Sequence, residues 1–489
     1  MPQYPGFVYG SNESQSPWAD LERTMNWYPE PNQSPASPYP ASLYPCPGQQ
    51  DYVTVSDINC RALFAMAGRC YAVMGSHVYK VLDTNSASIV TGGTVTNAPD
   101  MASIASNGAA GGELLIASGG NGYLLNIATN TLSAVANLAG ITTSVGMIDG
   151  YFLAFDAATS TYYISELNDG ATWDLTQYAQ RSIAPDPWVS MTVDSNRQIW
   201  LIGEQTGEVW YDAGTSPFPF QPVPGSVFGY GTCAPASVKL VGSSMMWLSQ
   251  NANGAGQVVG ASGLVPERVS TYAVETAIAG YARTVGITDA EAVTYSDQGH
   301  TFYCLTFPAA NATWVYDLST RLWHERGVWD TATGTYGVWG PRSHCYAFGK
   351  HLVGDRESGM LCQMDTSFAS ECNGDLIRRM RIPPPLWLSP QSSRMFVSRF
   401  QLLMEPGLGT VSGQGVDPQV LLRTSVDLKH WSNSQSTSAG VQGDYGVKVY
   451  WTRLASSTQM WVPEIVVTDP IAWRIVGALI DGRNFQGQS

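Results

Sequence analysis

TFYCLTFPAANATWVYDLST, residues 301–320, is an alternating apolar segment, a small polar turn and a second apolar segment rich in aromatics. Such a stretch reads as a β-hairpin whose strands are too apolar to stand in water alone. The same pattern recurs along the chain. It reads CYAVMGSHVYKV from Cys70, LLIASGGNGYLLNI from Leu114, GYFLAFDAATSTYYISEL from Gly150 and QIWLIGEQTGEVWYDAG from Gln198. It returns as SMMWLSQNANGAGQVVG from Ser244 and, after residue 301, as CYAFGKHLVGDRESGMLCQMD from Cys345. Starts lie 44, 36, 48, 46, 57 and 44 residues apart, centred on the period of a four-stranded propeller blade. Unrelated hairpins in β-sandwiches would supply the strands but not the regular spacing. Small sheets of this kind bury a face only by stacking on one another, and closing the stack into a ring removes its two bare ends. The repeat therefore predicts a β-propeller of six or seven blades.

Composition agrees with an all-β chain. Of 489 residues, 44% are hydrophobic and 11% aromatic, enough apolar surface to offset chain entropy. Charged residues are only 13%, about half the usual share, so the Glu/Lys faces of solvated helices are missing. The 49 Gly and 29 Pro are scattered, as tight turns between short strands require.

Outside the repeat, two regions differ. Residues 1–50 are proline-rich and hold Trp18, Trp27, Tyr28, Tyr39 and Tyr44. Proline opposes ladder pairing, and aromatics at that density avoid water, so an extended arm lying against the body or a neighbour is expected. After the propeller, assigned to residues 51–374, the stretch around Arg378, Arg379 and Arg381 reads as a linker or exposed strand. Segments such as FVSRFQLLMEP and IAWRIVGALIDG then predict a C-terminal β-sandwich over residues 375–489.

Net charge is −14, which excludes a protein gripping nucleic acid by a basic face. Residues 375–489 carry 11 basic and 8 acidic side chains, leaving −17 on residues 1–374. The start has no basic and apolar leader pattern, and no run of 18 apolar residues occurs, so neither a secretion signal nor a membrane span is expected. Eight cysteines without zinc spacing suggest buried thiols in a reducing compartment.

Chemistry is hard to find in the sequence. Nucleophile-elbow, HExxH, P-loop and dinucleotide motifs do not occur, and neither a catalytic residue, a cofactor nor a metal is expected. Turns at Ser165–Trp173, Ser296–Phe302 and Ser425–Trp431 resemble the Asp-box hairpins of sialidases, whose work is structural: Asp and Gly make the turn and the aromatic plugs the core. Glu166, Asp169, Glu204, Asp212, Asp289, Glu291 and Asp297 are available as carboxylates, but no spacing singles out the pair a glycosidase needs. His344 and His351 are about 20 Å apart in an extended chain, too far for one metal unless the chain folds back. Trp314, Tyr316, Trp323, Trp329 and Trp339 suit hairpin cores better than a sugar platform. A propeller glycoside hydrolase or glycan-binding tail component is the alternative function.

Several stretches, taken in order, resemble one family. They are LERTMNWYPE from Leu21, LYPCPG from Leu43, the hairpin Trp314–Arg326 and LVGDRESGML from Leu352. At the close come Asp444, Tyr445, Trp451, Arg453, the run Thr468–Pro470 and the run Ile475–Ala478. Together the chain resembles the packaged-DNA stabilisation or tail accessory proteins of short-tailed bacteriophages, the hub or nozzle type below the portal. The resemblance implies a non-enzymatic virion protein, made in the host bacterial cytoplasm. It implies a homo-oligomeric ring, commonly a hexamer, around the DNA path. Portal or head–tail adaptor, tail fibres, spikes or needle would be its partners, and double-stranded DNA would pass without sequence-specific binding. An acidic body suits such a conduit, because a repelling wall lets a polyanion slide. Arg378, Arg379, Arg381, Arg394 and Arg399 are then the candidate subunit or adaptor interface, where planar guanidinium groups suit bidentate pairing.

Overall fold

The computed structural model describes residues 1–34, 36–181 and 184–484. The recurrent units form seven antiparallel blades among the described residues: five are four-stranded sheets, one has five strands, and one is the four-strand end of a larger sheet. Their inner strands are Cys60–Met66, Ser103–Ser106, Ser144–Ile148, Trp188–Val193, Lys239–Val241, Glu291–Asp297 and Pro341–Ala347, which define blades 1 to 7.

The blades stack through alternate residues of their central strands. In blade 2, Leu114 and Ile116 pack on blade 1 residues Tyr71 and Val73, whereas Leu115 and Ala117 pack on blade 3 residues Val145 and Phe152. In blade 5, Met245 and Trp247 face Trp200 of blade 4, while Met246 and Leu248 face Tyr303 of blade 6. Strands buried on both faces need no polar alternation, which is why the quoted segments read as near-continuous apolar runs. Leu352 and Leu361 of blade 7 join Cys70 and Ala72 of blade 1 in one more core, so the stack closes on itself.

Closure uses the N-terminal region. Blade 7 takes its fourth strand, Gly48–Thr54, from ahead of blade 1, and that strand pairs along Met360–Asp365. The ring is therefore fastened by strands more than 300 residues apart in sequence, from Gly48 to Asp365. Between blades 5 and 6 the helix Tyr272–Thr284, capped by Thr271, buries Val274 and Ile278 against both. This insertion accounts for the longest interval in the sequence repeat.

The C-terminal region is a two-sheet sandwich that also recruits the N-terminus. One sheet runs Leu21–Met25, Arg379–Ile382, Met460–Val467, Gln419–Ser425, Gln435–Ser438; the other runs Trp27–Pro31, Ala41–Pro45, Ile475–Arg483, Met395–Met404, Val449–Ser457. Tyr4, Phe7, Trp27, Leu43, Phe400, Trp461 and Trp473 fill the space between them. Ladder pairing, which the prolines argued against, does occur in the arm: Trp27–Pro31 and Ala41–Pro45 form a hairpin with Pro29 opposite Leu43. Leu21–Met25 also touches the outer strand of blade 6 through the parallel pair Met25 and Glu325, making the propeller sheet and the sandwich sheet continuous.

Candidate functional site

Two places concentrate polar side chains that the fold does not need for turns: the junction between arm, propeller and sandwich, and the mouth of the propeller shaft.

At the junction, neighbouring residues of Leu21–Met25 point to opposite faces, as strand geometry dictates. Arg23 grips Glu325 of blade 6 with a two-pronged contact, Nε to Oε1 at 3.1 Å and Nη2 to Oε2 at 2.6 Å. Glu22 accepts from Nη2 of Arg381 at 3.0 Å. Arg381 is fully buried and also donates to the carbonyls of Gly6, Phe7 and Gly10 and to Thr24 Oγ1. Burial pushes the Glu22 carboxyl up, partly offset by the Arg381 charge. Beside them, Arg326 stacks 4.0 Å over Trp339 and donates to Pro47 O at 2.7 Å. Burial raises Glu371, which accepts from Gln49 of the closing strand at 2.7 Å, to about 7.

The five arginines expected at an interface separate here. Arg379 and Arg381 are buried within the chain, at 1% and 0% exposure, and cannot meet a neighbouring subunit. The physical reason is that the supposed linker is a central strand of the sandwich: Arg381 satisfies arm carbonyls and Glu22, while Arg379 donates to Ile377 O and lies over Trp27. Arg378 is half-buried, 3.8 Å over Trp329 and 3.7 Å from Glu464. Arg399 lies over Tyr450 at 4.0 Å, and Arg394 is exposed.

The candidate carboxylates do not converge. Glu166 and Glu204 are exposed. Asp169 and Asp212 hold turns by accepting from Ala171 and Gly214, both at 2.8 Å, and Asp289 accepts from Ala309 at 2.7 Å. Only Glu291 is buried, in ion pairs with Arg342 at 2.8 Å and Arg356 at 2.5 Å. The Asp-box turns act as expected of a structural motif: buried Trp173 donates to Gly170 O at 2.8 Å, and Ser425 accepts from Leu428 N at 2.9 Å. Trp314, Tyr316, Trp323 and Trp339 are core residues; Trp329 instead forms a shelf with Tyr336 under Arg378.

The chain does fold back at His344 and His351, whose ring nitrogens approach to 3.0 Å across the hairpin of blade 7. Burial holds His344 down to about 3, and no group of three or more metal-ligating side chains occurs among the described residues. His324 is buried beside the His300–Asp317 pair with neither ring nitrogen partnered, and burial lowers it to about 3. Cys362 and Cys372 form a disulfide; five of the six free cysteines are buried.

The shaft opens where the inner strands begin, in a cavity of about 1070 Å³. Lys239, Glu291, Arg342 and Arg356 line one wall.

A sequence model of one protein family, described as bacteriophage P22 Gp10, beta-propeller, matches residues 15–369. No curated protein matches the chain. Among solved structures, it is similar to virginiamycin B lyase from Staphylococcus aureus, at 8% identity and TM-score 0.41, over 65% of this chain and 98% of that one. It is similar to the extracellular domain of the two-component protein BT4673 from B. thetaiotaomicron, at 9% identity and TM-score 0.43, over 85% and 57% of the two chains. PorZ, a surface component of the type-IX secretion system of Porphyromonas gingivalis, matches at 12% identity and TM-score 0.39, over 71% of this chain; the present chain spans only 44% of PorZ. Likeness at that level carries nothing about function.

Proposed function

The chain belongs to the phage-stabilisation family of bacteriophage P22 Gp10, a structural component of the phage tail, and from that membership we propose that it forms a ring below the portal or adaptor that retains packaged DNA. The observation that carries this reading is the strand Leu21–Met25, which ties propeller and sandwich into one continuous sheet. A part that must hold against the pressure of a packed genome gains from having no free hinge between its domains.

DNA passes through the middle of the assembled ring, between subunits. The balance of −17 over residues 1–374 makes the propeller face suited to repel the duplex so that it slides. Exposed Arg394 and the half-buried Arg378 and Arg399 belong to the contact with a neighbouring subunit or adaptor, on the sandwich, where basic residues outnumber acidic ones. Fibres, spikes or a needle dock on the completed ring, and the protein is made in the host cytoplasm before assembly.

Removing the protein from its phage tests the role. Particles that package DNA but lose it, leaving capsids whose genomes become accessible to nuclease, are the expected result. Full retention of the genome without it contradicts the proposal.

A further inference from the structure

We propose that the mouth of the propeller shaft binds a compact oxyanion, of the class of phosphate monoesters or dicarboxylates, through Lys239 and Arg356. The tail role does not require such a site; its support lies in how charge is arranged there.

The inner strands run parallel, so their first residues converge at one face. Lys239 opens the inner strand of blade 5 and Glu291 that of blade 6; Arg342 is the second residue in blade 7, and Arg356 follows that blade's next strand. Glu291 accepts a hydrogen bond from Arg342 Nε at Oε2 and forms an ion pair with Arg356 Nη1 through Oε1. The remaining nitrogens of Arg342 donate to Asn59 Oδ1 at 2.5 Å and Pro99 O at 2.7 Å. Buried Arg61 of blade 1 adds a further positive charge close enough to be felt by Arg342. Three cations, Lys239, Arg342 and Arg356, thus lie around one carboxylate, in a protein whose overall charge is −14. The acids Asp100, Asp289 and Glu357 sit on the exposed rim of the cavity.

Two donors remain unused. Lys239, half-buried in the cavity lining, has no hydrogen-bond or ion-pair partner among the described residues; desolvation disfavours its charged form, partly offset by the Glu291 charge. Arg356 leaves Nε and Nη2 without a partner among the described residues. That is the same edge with which Arg23 holds both oxygens of Glu325, a fork matched to two oxygens on one atom. Buried Ser144 Oγ, from blade 3, is also unpartnered and lines the same cavity. In the liganded state the Arg356 guanidinium turns its free edge toward the lumen, and the anion bridges it to Lys239. The buried Arg356 donors that lack partners among the described residues are costly to leave unpaired, so an anion that reaches them is favoured.

Isothermal titration of the full chain with inorganic phosphate, and separately with succinate, in a buffer of monovalent anions tests the site. We expect saturable one-site binding of at least one of them, phosphate alone marking a phosphate ligand and succinate alone a dicarboxylate. Lys239→Gln should weaken it tenfold or more, whereas Lys239→Arg keeps the charge and retains binding. Arg474→Gln, which breaks an exposed pair with Glu405, should leave it unchanged. No saturable heat from either anion up to about 10 mM, far weaker than a specific site needs, overturns the proposal. So does an undiminished affinity in a folded Lys239→Gln variant.

Discussion

Nη2 of Arg381 lies 3.0 Å from Oε1 of Glu22, both residues buried, so a strand of the last hundred-odd residues is fastened to one of the first twenty-five. Arg381→Ala would leave Glu22 as an uncompensated buried charge and strip donors from three arm carbonyls. A loss of about 3–5 kcal/mol is expected for such a break. Denaturant unfolding should show it, together with early proteolytic release of residues 1–45. Glu22→Gln, which keeps the shape, should cost less.

Gly354 marks the seam where the ring closes. A Cβ there would meet Cys60 Sγ at 2.2 Å and Ser343 Oγ at 2.7 Å, so blade 7 approaches blade 1 more closely than any side chain allows. Gly354→Ala should therefore destabilise by more than about 2 kcal/mol through overpacking. Thermal unfolding is the readout. Gly349→Ala is a less informative control, because its φ of +73° adds backbone strain even though nothing lies near its Cβ.

Glu371 gives the fold a definite pH signature. Its folded-state value, about 7, lies above the ordinary carboxyl value of 4.5, so the folded chain holds a proton the unfolded chain releases. Its contribution is present below pH 4.5 and lost as pH rises to 7, by about 3 kcal/mol. Buried His324 and His344, each about 3 against 6.5, act in the opposite sense: their contribution is present above pH 6.5 and lost on acidification towards 3. The Glu371→Gln variant isolates the first effect. Its stability relative to the parent should rise between pH 5 and 7.5, measured by urea midpoints; an unchanging difference would remove Glu371 from the account.

Arg394→Glu combined with Arg399→Glu tests the interface without touching the core. Folding should be unaffected, because one residue is exposed and the other makes one hydrogen bond, to Gln401 at 3.2 Å, and stacks on Tyr450. Assembly into rings or tails, followed by mass photometry and particle yield, should fall. Wild-type yield would return both residues to plain surface.

Much of the propeller was legible because its central strands are buried on both faces and so leave apolar runs at blade spacing. Strands buried on one face, such as Gly48–Thr54 with only Tyr52 and Val53 as large apolar residues, leave no such mark, and this one straddles the expected boundary at residue 50. The arm misled for a related reason. Its prolines oppose regular ladders, yet a hairpin tolerates Pro29 and Pro31 when Tyr28 and Trp27 are anchored in core. Arginines in a stretch ending in three prolines looked like an exposed linker; only the long-range partners Glu22, Gly6 and Phe7, more than 350 residues away, explain their burial. Likewise Glu325 and Arg326 reach far along the chain, to Arg23 and to Pro47. The shaft cluster carried no spacing signal, because its members come from separate blades.

Electron cryomicroscopy of intact tailed particles tests the central claim most directly. The account predicts seven-bladed discs repeated around the tail axis below the portal, each joined to its sandwich without a gap and with DNA density running between subunits. Particles whose tails lack this chain, with the protein recovered only as a free monomer, would contradict it.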